Sequence, residues 1–178
     1  FRTSLVQNLK IPSSGEAASL ASIAYDVVAK MEAGWLYLIG PGTTTRAITD
    51  ELDLPKTLIG VDVVLDRKLL AADVNEARLL ELIEGRPAKI VVTPIGGQGY
   101  VFGRGNQQIS PHVIAAVAGQ GGSPWEQIIV VSTKDKLYAL GGRPLLVDTG
   151  DSAVDRRLVG YIKVVTGYNE RAVRKVSC

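Results

Sequence analysis

The chain has 178 residues, 46% of them hydrophobic and 21% charged, and its 20 basic and 18 acidic residues leave a formal net charge of +2. That length suits one good-sized domain, or a domain with a short arm, in an ordinary soluble globular protein. So even a balance argues against a nucleic-acid surface, and no apolar run approaches the roughly 20 residues that cross a bilayer, so neither partner is expected.

A single cysteine, Cys178, cannot make an internal disulfide, which points away from a secreted, stapled scaffold and towards the cytoplasm. A single histidine, His112, excludes a histidine-rich metal centre and reads as a solvated first-turn residue, so no protein-held metal is expected. The chain opens on Phe1 without an initiator Met or a targeting pattern, and it reads as a processed piece of something longer.

Phe1 to Pro12 mixes apolar and polar residues and reads as an arm or edge strand; residues 1–14 are assigned to this arm and 15–178 to the domain. Ser13-Ser14-Gly15-Glu16 is a helix start, and Ala17, Leu20, Ala21, Ala24, Val27, Val28 and Met31 recur at helical spacing up to Gly34. Trp35 to Ile39 reads as a buried strand and Thr43 to Leu52 as a helix. Leu58 to Val64 is the next strand, with Lys68 to Ala72 pairing to it across a turn at Asp66-Arg67. Asn75 to Glu84 is a helix closed by Gly85 and Pro87, and Ile90 to Ile95 a strand. After a long glycine loop, Ser110-Pro111 starts a helix that runs to Ala118. Ile128 to Val131, Leu145 to Val147 and Tyr161 to Val165 are strands, with helices over Lys134 to Leu140 and Ser152 to Leu158; Arg171 to Val176 is a tail of undecided type. Strands alternating with helices predict an α/β fold with a largely parallel sheet flanked by helices in three layers.

Two glycine-rich stretches follow strands at the carboxyl ends where such sheets bind ligands. The first is Gly40-Pro41-Gly42-Thr43-Thr44-Thr45-Arg46. Glycines let the backbone approach closely, threonine hydroxyls stand beside the exposed amides of a helix start, and Arg46 offers a bidentate clamp, a combination suited to phosphate. It has neither the Lys of a Walker loop nor the dinucleotide fingerprint, and the bland alternative is a tight strand-to-helix turn capped by Thr43. The second stretch carries Gly96, Gly97 and Gly99, then Gly103, Arg104, Gly105, Asn106 and Gln107, with Tyr100-Val101-Phe102 between them as a short strand or latch. A loop that long in a compact domain is usually functional, so these residues join the phosphate- or nucleotide-binding candidates, with a flexible linker as the alternative. Asp62, inside an apolar strand, and Asp148, at a strand end beside Thr149-Gly150-Asp151, are weak candidates for a catalytic carboxylate; no base is assigned.

Leu38-Ile39-Gly40-Pro41-Gly42-Thr43-Thr44, Leu58 to Val64, Thr93-Pro94-Ile95-Gly96-Gly97-Gln98-Gly99, Gly103 to Gln108 and Val147 to Asp151 occur in an order and wording that resemble the C-terminal half of the ATP-NAD kinase-like family, which includes the acetoin-catabolism protein X group. The resemblance runs from about Gly15 to Val176. It implies a two-domain protein of NADP biosynthesis, with ATP or polyphosphate as phosphoryl donor, Mg²⁺, and a base in a Gly-Gly-Asp-Gly-Thr loop of the other half. No such loop occurs in this sequence, which would then supply only part of the ligand site. The first loop is also similar to the strand–Gly-x-Gly-Thr–helix turn of ribose-phosphate isomerases and sugar-phosphate deaminases, which leaves a sugar-phosphate enzyme as a second reading. A non-catalytic nucleotide-sensing domain is the third. A homo-oligomer is compatible with all three.

Overall fold

A computed structural model describes residues 13–178; the expected arm over Phe1 to Pro12 lies outside the described residues. Helix α1 (Ser14–Ala29) begins at Ser13, whose hydroxyl accepts the Glu16 amide, as the serine pair predicts. Strand β1 (Leu36–Ile39), helix α2 (Thr43–Glu51), the hairpin β2 (Asp62–Leu65) and β3 (Lys68–Ala71), helix α3 (Glu76–Ile83) and strand β4 (Ala88–Val92) follow. Next come β5 (Tyr100–Phe102), α4 (Pro111–Ala118), β6 (Ile128–Val130), α5 (Lys134–Ala139), β7 (Leu145–Val147), α6 (Ser152–Leu158) and the closing hairpin β8 (Gly160–Gly167) and β9 (Glu170–Ser177).

The strands form two mixed sheets where one largely parallel sheet was expected. The first has the order β3-β2-β1-β4-β6 and the second β5-β7-β9-β8. In the first sheet β1 runs parallel to β4, and β4 to β6, whereas β2 is antiparallel to both β1 and β3. An apolar run identifies a buried strand but carries no signal for its direction, so the antiparallel β2 was not readable. Asp66 and Arg67 both take positive φ, the twist that a tight β2–β3 turn requires. The undecided tail is β9, seven of whose residues pair with β8. Two isolated bridges join the sheets: Val131 pairs with Val165 beyond β6, and Ile95 pairs with Tyr100 beyond β4.

Alternation along the central strands sends side chains to two separate cores. Leu36 and Leu38 of β1, with Ile90 and Val92 of β4, pack with Leu79 and Leu82 of α3 and Val113 and Ile114 of α4. Tyr37, Ile39 and Val91 point the other way, onto Ile23, Val27 and Val28 of α1 and Ile48 of α2. Helices therefore cover both faces of the first sheet.

One polar cluster ties the two ends of the described chain together. Asp26 of α1 is buried, and its carboxylate accepts from Lys30 Nζ, from the Asn169 amide at 2.9 Å and from Arg171 Nη2 at 2.9 Å, the last two belonging to the β8–β9 hairpin. Burial pushes the Asp26 carboxyl up, but Lys30, the Asn169 amide and Arg171 outweigh it and hold the group below the ordinary carboxylate range. Ser22 Oγ accepts the Tyr168 amide beside it.

Candidate functional site

The parallel pair β1–β4 marks a topological switch point: after β1 the chain turns to β2 on one side, and after β4 it passes to β6 on the other. The crevice outside the carboxyl ends of such a pair is where open α/β sheets bind ligands. Both glycine stretches start there. Gly40 directly follows β1, and its amide donates to Val91 O at 2.9 Å, hanging the turn on β4. The Gly96–Gly99 turn follows β4 and is closed by the reciprocal Ile95–Tyr100 bonds.

Gly42 precedes α2 as its N-cap, with φ 129° and no side-chain cap. A Cβ here would lie 2.6 Å from Thr93 Cγ2, so both the backbone angle and the space demand glycine. The first-turn amides of Thr43, Thr44 and Thr45 have no partner within the helix, while Arg46 N–H closes the first turn onto Gly42 O at 3.0 Å. The threonine hydroxyls were expected to add donors towards a ligand, and Thr45 does not: its hydroxyl donates to Gly42 O, as Thr49 does to Arg46 O. Thr44 is buried and Thr43 exposed; Arg46 is half-buried on the same first turn.

The second stretch is not one loop. It divides into the Gly96–Gly99 turn, strand β5, and a return segment. Gly96 and Gly97 are open, but a Cβ on Gly99 would press on Leu140 at 2.9 Å. Gly103 lies at the far end of β5, where a Cβ would fall 1.9 Å from the Asp148 carbonyl oxygen at φ +96°. Arg104 is exposed and stacks over the Tyr100 ring at 4.4 Å, and Gln107 is exposed. The chain then comes back: Gly105 abuts Ile95, Asn106 is buried with Nδ2 donating to Val101 O at 2.9 Å, and Ile109 reaches Gly40. Asn106 Oδ1 has no partner among the described residues.

The two carboxylates fare differently. Ile39 at the end of β1 pairs with Asp62 at the start of β2, so Asp62 sits at the crevice edge. It is sealed there: its oxygens accept from Lys56 Nζ at 2.7 Å, the Thr57 amide and hydroxyl at 2.9 Å, and the Asp73 amide at 2.8 Å. The Lys56 ammonium, itself 2% exposed, also donates to Thr57 O and Gly60 O. Burial raises the Asp62 carboxyl, yet the ion pair and the two amides pull it below its ordinary range. Burial, the largest influence on Lys56, holds that ammonium below the usual lysine range against the pull of Asp62. The carboxylate is therefore the better served of the pair, and the arrangement is that of a clamp with no lone pair turned to a ligand. Wrapping the clamp around Asp62 also explains why β2 starts there and not at Leu58 as expected: residues 56–61 loop around the carboxylate and leave Leu58 and Ile59 exposed.

Asp148 is exposed at the end of β7, where its amide donates to Phe102 O at the opposite end of the β5–β7 ladder from the Gly96–Gly99 turn. It lines an open pocket of about 300 Å³ with Tyr100, Ser152, Asp155 and Arg156. The structure thus does not bring the two carboxylates into one site. His112 is exposed and meets Glu76 Oε2 through Nδ1 at 3.1 Å.

Thr93, which carried no assignment of its own, sits inside the crevice. It is buried, and its Oγ1 has no hydrogen-bond partner among the described residues. A threonine directly after an apolar strand and ahead of a proline was the available signal. No group of three or more His, Cys, Asp or Glu side chains placed to hold a metal ion occurs among the described residues, nor any helix long and apolar enough to cross a membrane.

Fold and crevice together define an α/β protein with a glycine–threonine turn at the switch point of its first sheet. The chain belongs to the ATP-NAD kinase C-terminal domain family, whose model matches residues 34–176. Searches of curated proteins and of solved structures each returned no significant match.

Proposed function

We propose that the chain is the C-terminal part of an NAD kinase-like phosphotransferase of two domains, in which ATP or polyphosphate phosphorylates NAD or a related nucleotide and this chain supplies part of the ligand site. The observation that carries the reading is the match to the ATP-NAD kinase C-terminal domain family over residues 34–176, which takes in the β1–β4 crevice and the uncapped start of α2. Phosphoryl transfer needs positioning and charge neutralisation more than covalent chemistry from the protein. Free first-turn amides and Arg46 suit phosphate oxygens, and the unpartnered Asn106 Oδ1 suits a donor such as a ribose hydroxyl or an amide. With no carboxylate cluster among the described residues, Mg²⁺ would ride on the nucleotide phosphates. The base belongs to the other half, since no Gly-Gly-Asp-Gly-Thr loop is present and Asp62 is closed off.

The sealed Asp62 also favours a second reading, a nucleotide-sensing domain that binds without turnover. Thermal melts of the chain with NAD, NADP, ATP with Mg²⁺, and ribose 5-phosphate test both. A ligand at a hundred times its Kd stabilises the fold by about 2.7 kcal/mol. A shift with the nucleotides and none with ribose 5-phosphate is expected; a shift with ribose 5-phosphate alone, or with none of the four, overturns the nucleotide reading. NADP formation when a Gly-Gly-Asp-Gly-Thr half is added separates kinase from sensor.

A further inference from the structure

We infer that Thr93 is a phosphate ligand, completing with the amides of Thr43, Thr44 and Thr45 a seat for one terminal phosphoryl group at the start of α2. The inference rests on the β1–β4 crevice being the ligand site, and not on which nucleotide enters it.

Three observations converge on this seat. The N-terminus of α2 is left open: Gly42 provides no side-chain cap and the first turn holds no acidic residue. By contrast Ser13, Asn75, Ser110, Thr133 and Asp151 each cap their own helix with a side-chain oxygen. Thr93 is 4% exposed and sets its methyl against this N-terminus, its Cγ2 2.6 Å from the position a Cβ on Gly42 would take. Its hydroxyl, on the same Cβ, has no partner among the described residues. A buried hydroxyl without a partner is unfavourable, and a ligand oxygen is one partner that would satisfy it. Helix amides supply donors and a positive end, and a hydroxyl supplies one further donor, which is the complement of a tetrahedral oxyanion. Thr45 Oγ1, committed to Gly42 O, holds the turn in shape and leaves the seat to Thr93.

The test uses tripolyphosphate as the probe, followed by calorimetry and by amide chemical shifts of the whole chain. Saturable binding is expected, with the largest shifts at Thr43, Thr44, Thr45 and Thr93. Thr93→Val keeps the shape and removes the hydroxyl; it is expected to weaken binding by about tenfold or more, while melting at a temperature equal to or above that of the parent. Thr93→Ser keeps the hydroxyl and is expected to bind within about threefold of the parent. Failure of tripolyphosphate to bind, shifts confined to other residues, or equal affinity in Thr93→Val overturns the inference. If tripolyphosphate binds as described and NAD and ATP do not, the seat stands and the kinase reading falls.

Discussion

Asp62→Asn is the substitution that best separates a structural clamp from a catalytic carboxylate. The change keeps the size of the side chain and removes its charge, leaving the Lys56 ammonium, 2% exposed, with neutral acceptors such as the carbonyls of Thr57 and Gly60 and without its ion-pair partner. Breaking one side of a buried ion pair costs about 3–5 kcal/mol. For a domain of this size each kcal/mol lowers Tm by roughly 2–4 °C, so a loss of about 6–20 °C is expected at pH 7. Lys56→Met should cost less, because the carboxylate keeps the Thr57 amide, the Thr57 hydroxyl and the Asp73 amide. Both losses should be nearly the same in 0.1 M and 1 M salt, since screening hardly reaches a pair this buried. Calorimetric melts of the three proteins at both salt concentrations provide the assay. A Tm for Asp62→Asn within 3 °C of the parent, or a larger loss for Lys56→Met than for Asp62→Asn, would refute the clamp. A carboxylate kept for catalysis would behave in the first of these ways.

Three further outcomes are expected. Gly103→Ala places a methyl 1.9 Å from the Asp148 carbonyl oxygen at a φ of +96°, and should cost about 2–4 kcal/mol in urea unfolding; a cost below 1 kcal/mol would mean that β5 and β7 part easily. Asp26 and Asp62 both have folded pKa values below their ordinary ones, so the stability they add is complete above about pH 4–5 and is lost as pH falls through the folded values. Melts between pH 7 and pH 2 should show a steep acid limb, shallower in Arg171→Ala, which removes one of the Asp26 donors. Arg104→Ala removes an exposed cation over Tyr100 and should cost no more than about 1 kcal/mol; a large loss of nucleotide affinity in its place would return Arg104 to the ligand site.

What could be read from the sequence was local. Ser13, Asn75 and Ser110 mark helix starts through short-range bonds to amides three residues on, and all three appear as caps. The strand cores and the switch-point turn after Leu36–Ile39 were equally visible, because an apolar run followed by glycine needs no distant partner to be recognised. Direction and partnership were not visible. Val61 to Val64 looks alike in a parallel or an antiparallel strand, and nothing in Lys56 announces that it will be folded under Asp62. In Arg171 to Val176 the charges hid a two-residue period, whose outward residues are Arg171, Val173 and Lys175. The five glycines from Gly96 to Gly105 suggested one loop, since the contacts that divide them come from Leu140 and Asp148, about 40 residues later. Thr93 escaped notice because an unpartnered hydroxyl can be recognised only once its surroundings are known.

The Asp26 cluster has a consequence for how the chain reaches its fold. Helix α1 is synthesised before the β8–β9 hairpin, yet its buried carboxylate waits for Asn169 and Arg171, some 145 residues later. Until that hairpin has been made, Asp26 has Lys30 but neither the Asn169 amide nor Arg171, so burial of the face that carries it is favoured late rather than in order of synthesis. A nascent chain halted before residue 171 therefore carries α1 unlatched, open to proteases and chaperones, and synthesis of the hairpin closes the clasp.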